Sequence, residues 1–233
     1  MRRRCHRGVA ARKGQIVKVE FEQVLPGEIE KRSFEIISEE LKRRGISIEE
    51  PLAPVVKRVI HTTADFDYAE TMTFSDGALE AARQAIREGA CIVTDTRMAM
   101  SGINKRVLAQ FGGEVYNFMA DPDVAEMAKK NGTTRAVACM DRAAQLQQPL
   151  IFAIGNAPTA LIRLYELIRE GKIQPKLIIG VPVGFVNVEF AKELIMETDV
   201  PYIVARGRKG GSNVAAAICN AVLYQLRDEA AGK

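Results

Sequence analysis

From Phe74 onward this chain alternates short apolar runs with stretches of helical period, and that rhythm restricts it to very few architectures. The apolar runs lie at 91–95, 114–119, 150–155, 176–183 and 201–206. Helical period occupies 76–88, 103–110, 121–147 with a break at Asn131-Gly132, 158–170, 188–197 and 212–227. Strands joined through a helix run parallel, because a parallel pair needs a crossover connection. Right-handed crossovers then place helices on both faces of the sheet. The expected fold is a flavodoxin-like (Rossmann-like) α/β domain, a three-layer sandwich around a five-stranded parallel sheet. Ser75 and Ser212 read as helix N-caps, and Gly89 and Gly171 as helix stops.

Ahead of this block, 28–44 carries Ile29, Phe34, Ile37 and Leu41 on one side of a helix, with Gly45 as its C-terminal stop. Ser47-x-x-Glu50 reads as a capping box. A helix through Val55, Val56, Val59 and Ile60 then delivers His61 near its C-terminal end. Residues 62–74 read as extended chain or loop. Residues 15–24 alternate weakly, as a short strand would. They fall in a basic N-terminal extension, 1–25, with Arg2, Arg3, Arg4, Arg7, Arg12 and Lys13. The expected organisation is that flexible extension followed by one domain over 26–233, in which the 28–62 helices are an N-terminal addition.

Composition removes several classes of function. At 47% apolar and 27% charged residues, the chain is an ordinary globular sequence. No apolar run approaches the roughly 20 residues of a membrane span, so no membrane partner is expected. The four cysteines, Cys5, Cys91, Cys139 and Cys219, lack C-x-x-C spacing. That argues against a zinc site or a disulfide framework and fits a reducing cytoplasm. The basic tail has no interleaved aromatic residues and no nucleic-acid module after it, so no nucleic-acid partner is expected.

Only two histidines occur, His6 in the basic tail and His61. His61 is therefore the one folded side chain whose ordinary titration, at about pH 6.5, suits proton transfer near neutrality. Arg58 precedes it by three positions and shares its helix face. An acid–base group beside a fixed cation suits an anionic substrate, although local spacing alone also reads as a surface histidine beside a surface arginine. In parallel α/β sheets ligands bind beyond the carboxyl ends of the strands. Those ends here are Asp95-Thr96-Arg97, Gly155-Asn156-Ala157-Pro158-Thr159, the 181–187 segment and Arg206-Gly207-Arg208-Lys209-Gly210-Gly211-Ser212. Glycines just before helix N-termini favour anions. Neither G-x-x-x-x-G-K-[ST] nor G-x-G-x-x-G is present, so phosphate has no specific signature, and carboxylates fit equally well. Asp65 and Asp67 after His61 do not make a metal cluster, and Ser101 and Ser212 have no second folded histidine as a base. No metal, no cofactor and no covalent hydrolase chemistry are expected. Met98, Met100, Met119 and Met127 read as core filler.

Several strings resemble the precorrin-8X methylmutase family, including its cobalt-precorrin-8 members. They are Ile29-x-x-x-Ser33-Phe34-x-Ile36-Ile37, Val55-x-x-Arg58-x-x-His61, Phe74-Ser75, Asn131-Gly132-x-Thr134-Arg135, Ile154-Gly155-Asn156-Ala157-Pro158-Thr159-Ala160-Leu161, Gly180-x-Pro182-Val183-Gly184-Phe185-Val186 and Arg206-Gly207-Arg208-x-Gly210-Gly211-Ser212. They occur in order over about 28–226. The resemblance implies a 1,5-sigmatropic migration of a methyl group from C-11 to C-12 of a corrinoid macrocycle. It implies His61 as proton donor and acceptor, Ser33, Arg58 and Arg135 as substrate contacts, and a homodimer with the macrocycle at or near the interface. A ring bearing many acetates and propionates needs spread donors and several cations. The expected binding set is therefore Ser33, Arg58, Arg135, Gly155, Asn156, Gly184, Arg206, Gly207, Gly210, Gly211 and Ser212, with Arg208 as a further cation. Two other readings stay open on the residues: a nucleotide- or sugar-phosphate-binding enzyme on the same fold, and a non-catalytic corrinoid carrier.

Overall fold

Strands buried on both faces must be apolar at every position, and three of the strands here are. The computed structural model describes residues 24–232. The weak alternation over 15–23 and the basic extension up to residue 23 lie outside them. One sheet contains β1 (Met72–Phe74), β2 (Cys91–Thr94), β3 (Val115–Tyr116), β4 (Leu150–Ile154), β5 (Leu177–Gly180) and β6 (Tyr202–Ala205), in the order β1-β6-β5-β4-β2-β3. All neighbours pair in parallel except β1 with β6. Ile92, Ile151, Ala153, Leu177 and Ile179 pack into one core, whereas Val93, Phe152, Ile154 and Ile178 pack into the other. The period-two alternation of strand side chains thus feeds two separate cores from one sheet.

The first core is covered by α1 (Ile29–Arg43), α2 (Ala53–Thr63), α4 (Ala78–Arg87), α6 (Lys105–Gln110) and α11 (Ser212–Ala230), with the short α3 (Tyr68–Thr71) and α5 (Arg97–Gly102) at its margin. The second is covered by α7 (Pro122–Asn131), α8 (Arg135–Ala143), α9 (Pro158–Arg169) and α10 (Val188–Met196). Helix α1 stops as its sequence suggests. Gly45 takes φ +72°, its N–H donates to the Lys42 carbonyl at 3.1 Å, and the Ile46 N–H donates to Leu41 at 3.0 Å. That is a Schellman stop, a backbone turn that a glycine enters without strain. In α2 the buried stripe is Val55, Val56, Val59 and Ile60, facing α11.

The structure departs from the sequence expectations at several points of the fold. Among the described residues the sheet has six strands rather than five, because the 62–74 segment supplies α3 and an antiparallel edge strand. β1 is three residues of intermediate burial, too short to show a period, and only its pairing with β6 (Met72 to Ala205, Phe74 to Ile203) defines it. Ser75 does not cap a helix. Its N–H donates to the Tyr202 carbonyl at 3.0 Å and its Oγ accepts from the Tyr202 N–H at 2.9 Å, which extends that strand pair. The Ser47–Glu50 box does not form: α2 begins at Ala53 with Pro54 in its first turn and no side-chain cap. Met98 is exposed rather than core filler, while Met100, Met119 and Met127 pack against the two cores.

The five parallel strands run β3-β2-β4-β5-β6. The chain leaves β2 toward one edge of the sheet and leaves β4 toward the other. The loops after β2 and β4 therefore diverge, and such a reversal opens a crevice at the carboxyl edge of the sheet.

Candidate active site

The crevice is not empty of charge. Asp95, the residue after β2, is buried, and its Oδ1 accepts the Gly155 N–H at 2.9 Å. Its Oδ2 accepts the Asn156 and Ala157 N–H groups at 2.8 and 2.6 Å. Burial pushes the Asp95 carboxyl above its usual range, and the three N–H donors oppose that shift. Gly155 and Asn156, expected as anion donors, thus have their N–H groups taken by a side chain of the same molecule at the start of α9. Internal anion and helix N-terminus satisfy each other.

The adjoining β6–α11 loop, 206–211, is packed backbone against backbone. A Cβ on Gly155 would sit 2.7 Å from the Ser212 Cα, and one on Gly210 would run into the Val181 carbonyl oxygen. Only glycine fits at either place. Gly210→Ala is expected to lower stability by about 2 kcal/mol. The check is a drop in the urea midpoint at constant m-value; an unchanged midpoint would contradict the packing. Gly211, not Ser212, is the N-cap residue of α11, and the Ser212 hydroxyl bonds instead to Thr96 Oγ1 at 2.7 Å. Thr96 in turn caps α5 through the Ala99 N–H at 3.0 Å. Gly184 donates its N–H to the Arg208 carbonyl at 3.1 Å, which joins the β5–α10 loop to this one.

Cations surround the loop, and most carry carboxylate partners. Arg206 pairs with Glu193 at 3.3 Å and Arg208 with Glu189 at 2.8 Å, both on α10. Lys209 bonds Asp65 at 2.6 Å and Asp67 at 2.5 Å, and it holds the Asp65 carboxyl below its usual range. Asp65 and Asp67 form the turn just past His61, so that turn and the glycine loop are tied together. Arg135, the first residue of α8, is exposed and makes no ion pair among the described residues. Its neighbour Thr134 reaches Thr159 at 3.2 Å, which sets Arg135 beside the start of α9.

His61 stands exposed in the last turn of α2, with its ring 5.3 Å from that of Phe34 in α1. Arg58, one turn earlier, bonds Glu30 at 2.9 Å and lies over both the Phe34 ring, at 5.2 Å, and the Tyr224 ring, at 4.8 Å. The Arg58 guanidinium holds the Glu30 carboxyl below its usual range. A groove of about 630 Å³ opens beside Arg58, lined by Phe34, Pro54, Lys57 and Tyr224 among others. His61 does not line it and instead meets Phe34 at its rim. Ser33 donates its hydroxyl to the Ile29 carbonyl at 2.9 Å. The structure therefore gathers the expected residues into two clusters. Ser33, Arg58 and His61 belong to α1 and α2, and residues 155–156, 184 and 206–212 belong to the strand-end loops. Among the described residues no hydrogen bond or ring contact joins His61 to the loops or to Arg135.

Asp95, Thr96 and Lys209 fall in strand-end segments that the sequence points to but are not in the expected binding set, and Tyr224 is in neither. Asp95 carries a usable signal, as an acidic residue directly after an apolar strand. Among the described residues no three His, Cys, Asp or Glu side chains converge as a metal site, and no helix is long and apolar enough to cross a membrane.

A family model described as precorrin-8X methylmutase matches residues 28–225. The cobalt-precorrin-8 methylmutase of Salmonella typhimurium is 47% identical over 207 residues, which is 87% of this chain and 97% of that one. The precorrin-8X methylmutase of Pseudomonas aeruginosa is 36% identical over 83% of this chain and 93% of its own length. A solved structure of precorrin-8x methyl mutase from Thermus thermophilus superposes with a TM-score of 0.78 at 43% identity, covering 87% of this chain and 98% of that one. A match of this extent places the chain in the precorrin-8X and cobalt-precorrin-8 methylmutase family, the intramolecular methyl transferases of cobalamin biosynthesis.

Proposed function

We propose that this chain moves the C-11 methyl group to C-12 of precorrin-8x or its cobalt form, giving hydrogenobyrinate or cobyrinate, with His61 lending a proton to the macrocycle and recovering it. The observation that carries this reading is the placement of His61. It is exposed at the end of α2, with its ring tilted against that of Phe34, and one turn from Arg58. A migration within one molecule needs no redox partner and no external nucleophile, so one positioned acid–base group suffices. No cofactor enters the reading.

The substrate carboxylates meet Arg58, Arg135, Arg206 and Arg208. The Glu30, Glu189 and Glu193 partners of these cations are more than half exposed. Exposed ion pairs contribute little, so a polycarboxylate displaces such partners at small cost. Ser33, Gly184 and the 207–212 loop complete the binding surface, while Gly155 and Asn156 shape its floor. Occupation of their N–H groups by Asp95 weighs against phosphate binding at the start of α9. We also read the parallel strands as a flavodoxin-like core, because β3-β2-β4-β5-β6 repeats the strand order of that fold, with β1 as an added edge. Phe185 and Val186 are 82% and 77% exposed on the β5–α10 loop, an apolar rim that supports a homodimer with its site at or near the interface. Analytical ultracentrifugation should give twice the chain mass; a monomer at micromolar concentration would remove this part of the reading. The activity itself is tested by incubating the protein with precorrin-8x and with cobalt-precorrin-8 and following the visible spectrum. Conversion of either to a corrin chromophore is expected, and no change with both would sink the proposal.

A further inference from the structure

Helix α10 turns Glu189, Lys192 and Glu193 toward the β6–α11 loop. The two glutamates hold Arg208 and Arg206 at the surface. Lys192 is different: it is 0% exposed, and no carboxylate lies within 4.0 Å of it among the described residues. Its Nζ donates to the Gly207 carbonyl at 2.7 Å and to the Lys209 carbonyl at 2.9 Å. Burial pushes the ammonium down to about 8. Lys192 also falls on the buried stripe of α10, four residues after Val188 and three before Ile195. An apolar side chain packs at such a position without the desolvation penalty of a buried cation, so stability alone does not account for a lysine.

The loop backbone suggests what the ammonium does. Peptide units are planar and none here is cis. In a trans unit the carbonyl of one residue and the N–H of the next point in opposite directions. Drawing the Gly207 and Lys209 carbonyls inward therefore turns the Arg208 and Gly210 N–H groups outward. Neither N–H has a hydrogen-bond acceptor among the described residues. Arg208 and Lys209, whose side chains are 62% and 46% exposed, flank these donors with positive charge. Gly184 and Asp65 fasten the same loop from other sides, so the loop is held on its inner face and open on its outer one.

We propose that Lys192 is a positioning residue for this loop: its buried ammonium anchors two carbonyls and so presents the Arg208 and Gly210 N–H groups as a preformed pair of donors for a substrate carboxylate. The inference rests on the corrinoid reading above, and its test separates the two. Lys192→Met keeps the apolar stem and removes the donors. Hydrogen exchange at the Arg206 and Gly211 amides, which donate to the Thr71 and Val181 carbonyls at the two ends of the loop, should quicken about tenfold or more relative to β4 and β5. KM for cobalt-precorrin-8 should rise about tenfold with kcat changed less than about threefold, the pattern of lost uniform binding. Loop exchange and KM that both stay within twofold of the parent overturn the proposal, as does a fall in kcat at constant KM. Should the methionine variant not fold, Lys192→Gln keeps one donor group without the charge, and the same two measurements on it support or overturn the proposal at the same thresholds. A parent chain that converts neither corrinoid defeats the methylmutase reading instead, while the exchange measurement still reports on the anchor.

Discussion

His61→Ala should bind precorrin-8x within about threefold of the parent chain and turn it over at least about 100-fold more slowly. Proton transfer by one positioned group is worth about 10²–10⁴ in rate. The substitution is unusually clean here. His61 is exposed, makes no side-chain hydrogen bond among the described residues, and ends a helix that alanine also favours. Its one aromatic neighbour among the described residues is Phe34, so the stability change should stay within about 0.5 kcal/mol. In the proposed reading binding rests on Arg58 and the loop donors, which the variant leaves in place. Visible-spectrum titration gives the affinity and single-turnover conversion gives the rate. A variant that still moves the methyl group at the parent rate would eliminate the acid–base role and leave His61 as a contact. A parent chain that binds corrinoid but never converts it would point to a carrier.

Asp95→Ala should cost about 3–5 kcal/mol of stability, the largest loss expected from any single side chain of the crevice. The carboxylate satisfies three N–H groups at the start of α9, and removal strands all three. Each buried donor without a partner costs about 1–3 kcal/mol; water entering the vacated space recovers part. Asp95→Asn should lose less, since an amide oxygen still accepts while its NH₂ faces donors. Two further results belong to the same explanation. Phosphate and ATP should gain no hold on the start of α9 in the parent chain, where Asp95 fills the N–H cradle. Formate should stabilise Asp95→Ala more than it stabilises the parent. Equal denaturation midpoints for parent and Asp95→Ala would show that the three contacts carry no net energy.

Much of the site is legible in the sequence because it is written in adjacent residues. Arg58 and His61 share one turn of α2, and Gly45 ends α1 by a backbone rule that involves its own neighbours. The strands beneath the loops announce themselves as continuous apolar runs. Hydroxyl and charged side chains are harder. Ser75, Ser47 and Ser212 each stand where a helix cap is chemically reasonable. Ser75 instead joins β6, and Ser212 bonds Thr96, 116 positions away. Lys192 has a signal of its own, a lysine on the buried stripe of an otherwise amphipathic helix, but that signal stands out only once the stripe is known to be buried.

By itself the sequence determined the layered α/β plan, the family and the motif that holds His61. Hydrophobic period and backbone turns are local properties, set by spacing along the chain. Only the tertiary structure decided which anion fills the N–H cradle at α9, that 62–74 contributes an antiparallel edge, and that a lysine is buried beneath the glycine loop. Those outcomes depend on partners from separate crossovers, such as Asp95 and Gly155 at 60 positions apart. The pairing of a buried polar group is chosen by whatever the packed sheet brings within about 3 Å of it, a distance that no local pattern encodes.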